Sequence, residues 1–314
     1  MNVKKAVITA AARGERLYPV ADTVQKTMLP LLDIDGINKP IIQIIAEEAF
    51  SSGIEEICII CAPGDPERYI DGFQSLRSTL LQAFKYSEWA QTQAQHITNL
   101  LDRLTFVVQK EPHGYGHAVY QARSFVNNEP FLLLLGDYIY ISDVAGKRCA
   151  QQLIELAQRE DCSVSAVKPT IEHLIGRYGT LTGKAQLNEQ GVYQIEKIIE
   201  KPSISEAELH LHTPGLRAGY FLCFIGMHVF KPSIFDMLDE YIKSQKSNIL
   251  LAPMLQQLAD TDKYLALEMQ GNRYDTSKKF GLFQAQLALA LSGSQKEEVL
   301  ADMIQIMADS AKRN

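Results

Sequence analysis

The chain has 314 residues, 46% hydrophobic and 22% charged, with 19 Gly and 12 Pro, a balance that excludes disordered, collagen-like and coiled-coil classes and permits a full hydrophobic core. Lys and Arg number 31 against 37 Asp and Glu, leaving a net charge of -6, the wrong sign for gripping a nucleic-acid backbone, although a small basic pocket for a small anion stays compatible with it. The longest apolar runs, residues 131–135 and 221–225, fall far short of the roughly 20 residues that cross a bilayer, so no membrane partner is expected.

Near the start, Lys4-Lys5 precede a short apolar run that passes straight into Arg13-Gly14-Glu15-Arg16; without a long apolar region this reads as a first strand, residues 6–10, and not as a leader. Ile41, Ile42, Ile44, Ile45 and Ala49 fall at helical spacing before Gly53, a C-cap candidate. Strands are expected at 57–61, 104–108 and 131–135, with a helix over 117–125. That alternation predicts a Rossmann-like α/β core with a mostly parallel mixed sheet. Residues 66–103, with Leu76, Leu80, Leu81, Phe84 and Trp89, read as a helical insertion on it.

From residue 163 onward the segments 163–167, 178–181, 192–199 and 218–230 are rich in β-branched and aromatic residues and extend the same sheet. Helical spacing returns over 249–258, 279–291 and 297–308, so residues 278–314 form a C-terminal helical tail of the kind that packs on a partner chain. No repeat or Ser/Gly tether divides the chain, and a single domain over 1–314 is expected. Five cysteines, an odd number, and no N-x-S/T sequon point to reduced thiols and a cytoplasmic location.

Four segments carry site chemistry. After the first strand, Ala10-Ala11-Ala12-Arg13-Gly14-Glu15-Arg16 and then Gln25-Lys26-Thr27 combine small residues, which let backbone N–H groups approach phosphates, with Arg16 and Lys26, which can neutralise them. The loop has one Gly where the dinucleotide fingerprint needs three, so a nicotinamide cofactor is disfavoured. Residues 179–185 (GTLTGKA) fall one short of a P-loop and lack its Ser/Thr. In Gln109-Lys110-Glu111-Pro112-His113-Gly114-Tyr115-Gly116-His117, the Gln amide can pair with a pyrimidine imide edge, and Gly114 lets a base lie against the backbone. A plain turn before a helix is the alternative there, and the glycines break the helix that would align His113 and His117 on zinc.

The third segment puts Asp137 at the carboxyl end of a buried strand, where ligands of open α/β sheets sit, and makes it a magnesium candidate with Asp275 as its partner. Each Asp can equally serve as a turn or cap residue. The fourth, Glu200-Lys201-Pro202, offers an acceptor for sugar hydroxyls and a cation for phosphate, or is a plain exposed turn. Cys58 and Cys61 have redox spacing but lie inside an apolar strand, which favours packing.

In this order the segments resemble the bacterial UTP-glucose-1-phosphate uridylyltransferases of the sugar-1-phosphate nucleotidyltransferase family. The matching parts are Lys26-Thr27-Met28-Leu29-Pro30, Gly114-Tyr115-Gly116-His117-Ala118, Asp137, Tyr178-Gly179, Glu200-Lys201-Pro202, residues 275–284 and the insertion at 66–103. The resemblance implies a GT-A-like nucleotidyltransferase fold acting on UTP and glucose 1-phosphate, and a homodimer or homotetramer. It places Ala11, Ala12 and Gly14 on the nucleotide loop, Arg16 and Lys26 at the triphosphate, and Gln109 with Gly114 at uracil. Gly179, Glu200 and Lys201 would hold the sugar phosphate, while Asp137 and Asp275 would carry one Mg2+. The family loop reads Gly-x-Gly-Thr-Arg and then Pro-Lys, whereas Ala12, Glu15 and Gln25 stand here at the first Gly, the Thr and the Pro; Ser277 replaces a Gly. An acid at position 15 beside a triphosphate costs affinity if it points inward. A weakly active regulatory paralogue, or a member using another nucleotide or sugar 1-phosphate, is therefore the alternative.

Overall fold

The computed structural model describes residues 1–12, 23–187, 189–245 and 248–311. Strand β1 (Lys5–Thr9) is followed by a 3-10 turn (Lys26–Met28), a small hairpin of β2 (Pro30–Leu32) and β3 (Asn38–Pro40), and helix α1 (Ile41–Phe50). Next come β4 (Glu56–Cys61), helices α2 (Asp65–Ala83) and α3 (Glu88–Leu101), and β5 (Leu104–Val108). The short helices α4 (Tyr115–Tyr120) and α5 (Arg123–Val126) lead to β6 (Phe131–Leu135), β7 (Tyr138–Ser142) and α6 (Cys149–Glu160). The later part contains β8 (Ser163–Ile171), β9 (Gly179–Ala185), β10 (Val192–Glu200), α7 (Ile204–His210), β11 (Tyr220–Phe230), α8 (Ile234–Ser244) and α9 (Ala252–Thr261). It closes with β12 (Tyr264–Glu268), β13 (Gly271–Asp275), α10 (Gly281–Ser292) and α11 (Lys296–Ala311).

One nine-stranded sheet, in the order β5-β4-β1-β6-β11-β8-β12-β10-β9, spans both halves. β10 and β11 run against the others, so the sheet is mixed with one dominant direction. Alternation along the strands supplies two apolar faces. Ala6, Ile8, Ile57, Ile59, Leu132 and Leu134 pack against α1, α2, α3 and α6. On the other face, Val7, Ile60, Phe131 and Leu133 pack against α4, α8 and α9. Cys58 belongs to the second face and Cys61 to the first; burial pushes both thiols up to about 12, which suits packing and not redox exchange.

Two expected helices are placed differently. The helix expected over 117–125 begins at Tyr115 and divides, because the Gln121 N–H is shared between His117 and Ala118 and the Ala122 N–H reaches only Val119, a tightening to 3-10 bonding. The helix expected from 249 starts at Ala252, where Pro253 fixes a first turn and bars helix before it. Ile249 instead bridges loops, taking the Gly116 N–H at 2.8 Å and donating to the His113 carbonyl at 2.6 Å.

Candidate active site

The carboxyl ends of β1, β4, β5 and β6 open at one sheet edge. Where β1 and β6 leave it, the Gly136 N–H bonds the Thr9 carbonyl at 2.9 Å, and a Cβ on Gly136 would stand 2.8 Å from that same oxygen. A side chain at this point would push the strands apart, so glycine lets Asp137 emerge directly above β1. Its Oδ2 accepts from Lys26 Nζ at 2.7 Å, both side chains being largely shielded, at 18% and 9% exposure. Lys26 is delivered by the 3-10 turn. The low dielectric strengthens this pair and makes either charge expensive to leave alone.

β7 starts one residue after Asp137 and pairs antiparallel with β13, Tyr138 opposite Asp275. Thr276 donates from both its backbone N and its Oγ1 to the Asp137 carbonyl, each at 2.9 Å. The ribbon therefore brings together two acids that are remote in the chain. Ser277, standing where the resemblance expects Gly, donates its N–H and its hydroxyl to Asp275 Oδ1 at 2.9 and 2.7 Å. The other carboxylate oxygen of Asp275 makes no hydrogen bond to the described residues.

One cavity adjoins Lys26, and a second is lined by Tyr138 and Arg273 of the ribbon. The first, about 180 Å³, is lined by Ala10, Ala12, Gln25, Lys26, Arg68 and Tyr69 among others; its Gln25 amide donates to the Asp65 carbonyl at 3.3 Å. Ala11 continues the chain from β1 beside it, while Gly14, Glu15 and Arg16 lie outside the described residues. The second, about 280 Å³, is lined by Tyr115, Tyr138, Gly179, Glu200, Lys201 and Arg273 among others. Lys26 belongs to the first cavity and Tyr138 to the second, so Asp137, bonded to one and adjacent to the other, stands between them.

In the second cavity Gly179 is the register partner of Glu200. A Cβ there would come within 3.0 Å of both Glu200 Oε2 and the Phe224 ring, so any side chain would crowd the carboxylate. Lys201 turns with φ at 49°, and its N–H reaches the Tyr178 carbonyl at 3.1 Å. Its Nζ lies 3.7 Å from Glu200 Oε1, with 60% of the side chain exposed, leaving the ammonium open to an anion.

Gln109 and Gly114 line neither cavity but sit next to each other. The Gln109 N–H bonds the Cys61 carbonyl at 2.9 Å, just before Ala62 of the first cavity wall. Its Nε2 donates to the Gly114 carbonyl at 3.3 Å and meets His117 Nδ1 at 3.0 Å, which leaves the amide oxygen as the group available for an imide N–H. Burial and the nearby His113 hold the His117 imidazole below its usual range, which suits an acceptor role. Gly114 has φ at 108°, and a Cβ would lie 2.6 Å from the Ile249 carbonyl, so both conformation and space demand glycine.

Sequence reasoning missed three groups. Arg273 lies 3.8 Å from the Tyr178 ring centroid and 5.1 Å from that of Tyr138, and donates to the Phe224 carbonyl at 2.9 Å. A signal existed: Arg273 and Asp275 are two apart on one strand and share a face. Arg68 reaches the first cavity from α2, for which the sequence holds no cue. His228 lines the second cavity, buried and bonded to Ser165, which also meets Tyr264; burial drives its imidazole down to about 3.

A nucleotidyl transferase family model matches residues 5–290. The UTP--glucose-1-phosphate uridylyltransferase of Mycoplasma pneumoniae (strain ATCC 29342 / M129 / Subtype 1) is 34% identical over 306 residues, covering 96% of this chain and 97% of that protein. A UTP-bound UGPase from Acinetobacter baumannii superposes with a TM-score of 0.77 at 26% identity, over 97% of this chain and 99% of the other. A UDP-glucose pyrophosphorylase complexed with UDP-glucose gives 0.72 at 27% identity, over 91% and 98%. With a family model matched over residues 5–290 and a relative 34% identical over nearly the full length of both chains, the chain belongs to the nucleotidyl transferase family, alongside the UTP-glucose-1-phosphate uridylyltransferases.

Proposed function

We propose that the chain transfers the uridylyl group of UTP to glucose 1-phosphate, giving UDP-glucose and pyrophosphate. The observation that carries this reading is the Asp137–Asp275 ribbon set between a cavity holding Lys26 and Arg68 and a cavity holding Gly179, Glu200, Lys201 and Arg273. Two polyanions must meet at one phosphorus, and the site separates their binding surfaces while keeping an acidic junction between them. The attacking sugar phosphate is largely dianionic at neutral pH, since its second proton leaves near pH 6, so no general base is needed. What the protein supplies is positioning and charge neutralisation.

In this reading Lys26, with Arg16, receives the triphosphate and turns from Asp137 toward it; Ala11, Ala12 and Gly14 let the backbone approach, and Gln109 with Gly114 meets the base. Gly179, Glu200 and Lys201 orient the glucosyl phosphate for in-line attack on the α-phosphorus. The residues would suit a divalent cation such as Mg2+: the Tyr138–Asp275 pairing and the Thr276 bond to the Asp137 carbonyl bring two acids with hard oxygen ligands near each other, and substrate oxygens would complete the shell. Bound there, such an ion neutralises phosphate charge and favours departure of pyrophosphate. We infer further that the chain acts as one nucleotidyltransferase domain in the cytoplasm. All five cysteines are free and buried, and no helix is long and apolar enough to cross a membrane. Leu300, Ile304 and Met307 share an exposed stripe of α11, which supports a homodimer or homotetramer through the C-terminal helices.

Pyrophosphate release across four nucleotides and several hexose 1-phosphates with Mg2+ tests the assignment. Maximal turnover is expected with UTP and glucose 1-phosphate. A higher rate with another pair reassigns the substrate, since Gln109 reads a pyrimidine edge that uracil and thymine share. UTP binding with no release from any pair would establish the non-catalytic alternative that Glu15 suggests.

A further inference from the structure

Among the described residues, two buried side-chain oxygens lack a hydrogen-bond partner: Thr9 Oγ1 and Tyr115 Oη. Such a group is costly to leave unpaired and calls for a reason. Both belong to the cleft. Thr9 ends β1 under the Gly136–Asp137 turn, and Tyr115 opens α4 directly after Gly114. The Tyr115 ring lines the second cavity with Gly179, Glu200 and Lys201. Burial pushes its hydroxyl well above the ordinary tyrosine range, and Tyr138, Asp137 and Glu200 add to the rise while Thr9 opposes it. The phenol is thus a neutral O–H donor held among acidic groups, near enough to Thr9 to feel its hydroxyl but outside good hydrogen-bond geometry with it.

We propose that Tyr115 is a substrate-binding residue whose hydroxyl donates to the phosphate oxygen joined to the sugar, the acceptor it lacks in the free protein. This rests on the reading of the second cavity as the sugar-phosphate pocket. Tyr115 itself lines that cavity, so a turn of the side chain is the motion that would present the hydroxyl to an incoming phosphate. A donor unsatisfied when free and paired in the complex favours the bound state twice, by a new charge-assisted bond and by relief of the orphaned group.

The test compares wild type with Tyr115→Phe, using calorimetric titration of UDP-glucose and of UTP, thermal melting, and steady-state kinetics. The expected result is UDP-glucose binding weakened about 10-fold, with UTP binding within about two-fold, and KM for glucose 1-phosphate raised more than KM for UTP. The melting temperature is expected to hold or rise, because the variant removes an unsatisfied buried group. Unchanged UDP-glucose affinity overturns the proposal and points to a trapped water between the two hydroxyls. Equal weakening toward UTP, or a fall in melting temperature with no ligand selectivity, also overturns it, as a structural role. If wild type binds UDP-glucose, and Tyr115→Phe binds it less tightly, while no pair turns over, the proposal stands and the catalytic assignment fails; if wild type does not bind UDP-glucose, both fall.

Discussion

Lys26 and Asp137 hold each other across the mouth of β1 and β6 with little water between them, and in the proposed cycle each leaves the other for substrate. Lys26→Ala should therefore act twice. Losing one partner of a shielded pair costs about 3 kcal/mol of stability, read by chemical denaturation, and losing a triphosphate cation lowers kcat/KM for UTP by about 100-fold. A variant with wild-type kcat/KM would remove Lys26 from the site. Asp137 was legible because a carboxylate after four leucines has no place in the strand and stands at the ligand edge of the sheet. Asp275 was legible as a partner but not as a tethered one, since the Ser277 bonds to its Oδ1 depend on a local turn. Arg273 escaped notice because its partners, the Tyr178 ring and the Phe224 carbonyl, are distant in sequence, and the two-residue spacing from Asp275 was the one trace it left.

At the level of elements, the buried strands were the readable part: β6 and β4 are continuous apolar runs, as a sheet covered on both faces requires. The β7–β13 ribbon was not readable, because Gly271–Asp275 has neither apolar alternation nor β-branched enrichment, and only its pairing with Tyr138–Ser142 makes it a strand. β11 shows how an element is shaped by the site. Its register with β8 shifts between Phe224 and His228, Gly226 turns at φ 74°, and the Tyr140 hydroxyl donates to the Ile225 and Gly226 carbonyls at 3.0 and 2.9 Å. The irregularity lines the second cavity, and bulges are common beside such clefts. His228, just past it, stays neutral at about 3 in the fold, against about 6.5 when unfolded. Between those values the unfolded chain binds the extra proton, so stability falls as pH drops from about 6.5 toward 3, by up to about 1.4 kcal/mol per pH unit. Denaturation of wild type and His228→Gln at pH 7 and pH 5 should show a smaller pH loss in the variant; equal losses would mean that His228 does not report on this window.

For the molecule as a whole, one continuous sheet carries the loops of the first cavity on its parallel half and Gly179, Glu200 and Phe224 of the second on β9, β10 and β11, so one layer positions both cavities. The ribbon bearing Asp275 then closes back over Asp137 from the far end of the chain, and α10 follows it immediately. In the proposed reaction, catalysis depends on two acids that no local segment contains and that the Tyr138–Asp275 pairing brings near each other. The direct measurement is pyrophosphate release from UTP and glucose 1-phosphate at varied Mg2+ for wild type, Asp137→Asn and Asp275→Asn, each with an unchanged melting transition. Both variants are expected to lose at least about 100-fold in turnover and to need more Mg2+ for half-maximal rate; near-normal release by either one would contradict a shared cation site between Asp137 and Asp275.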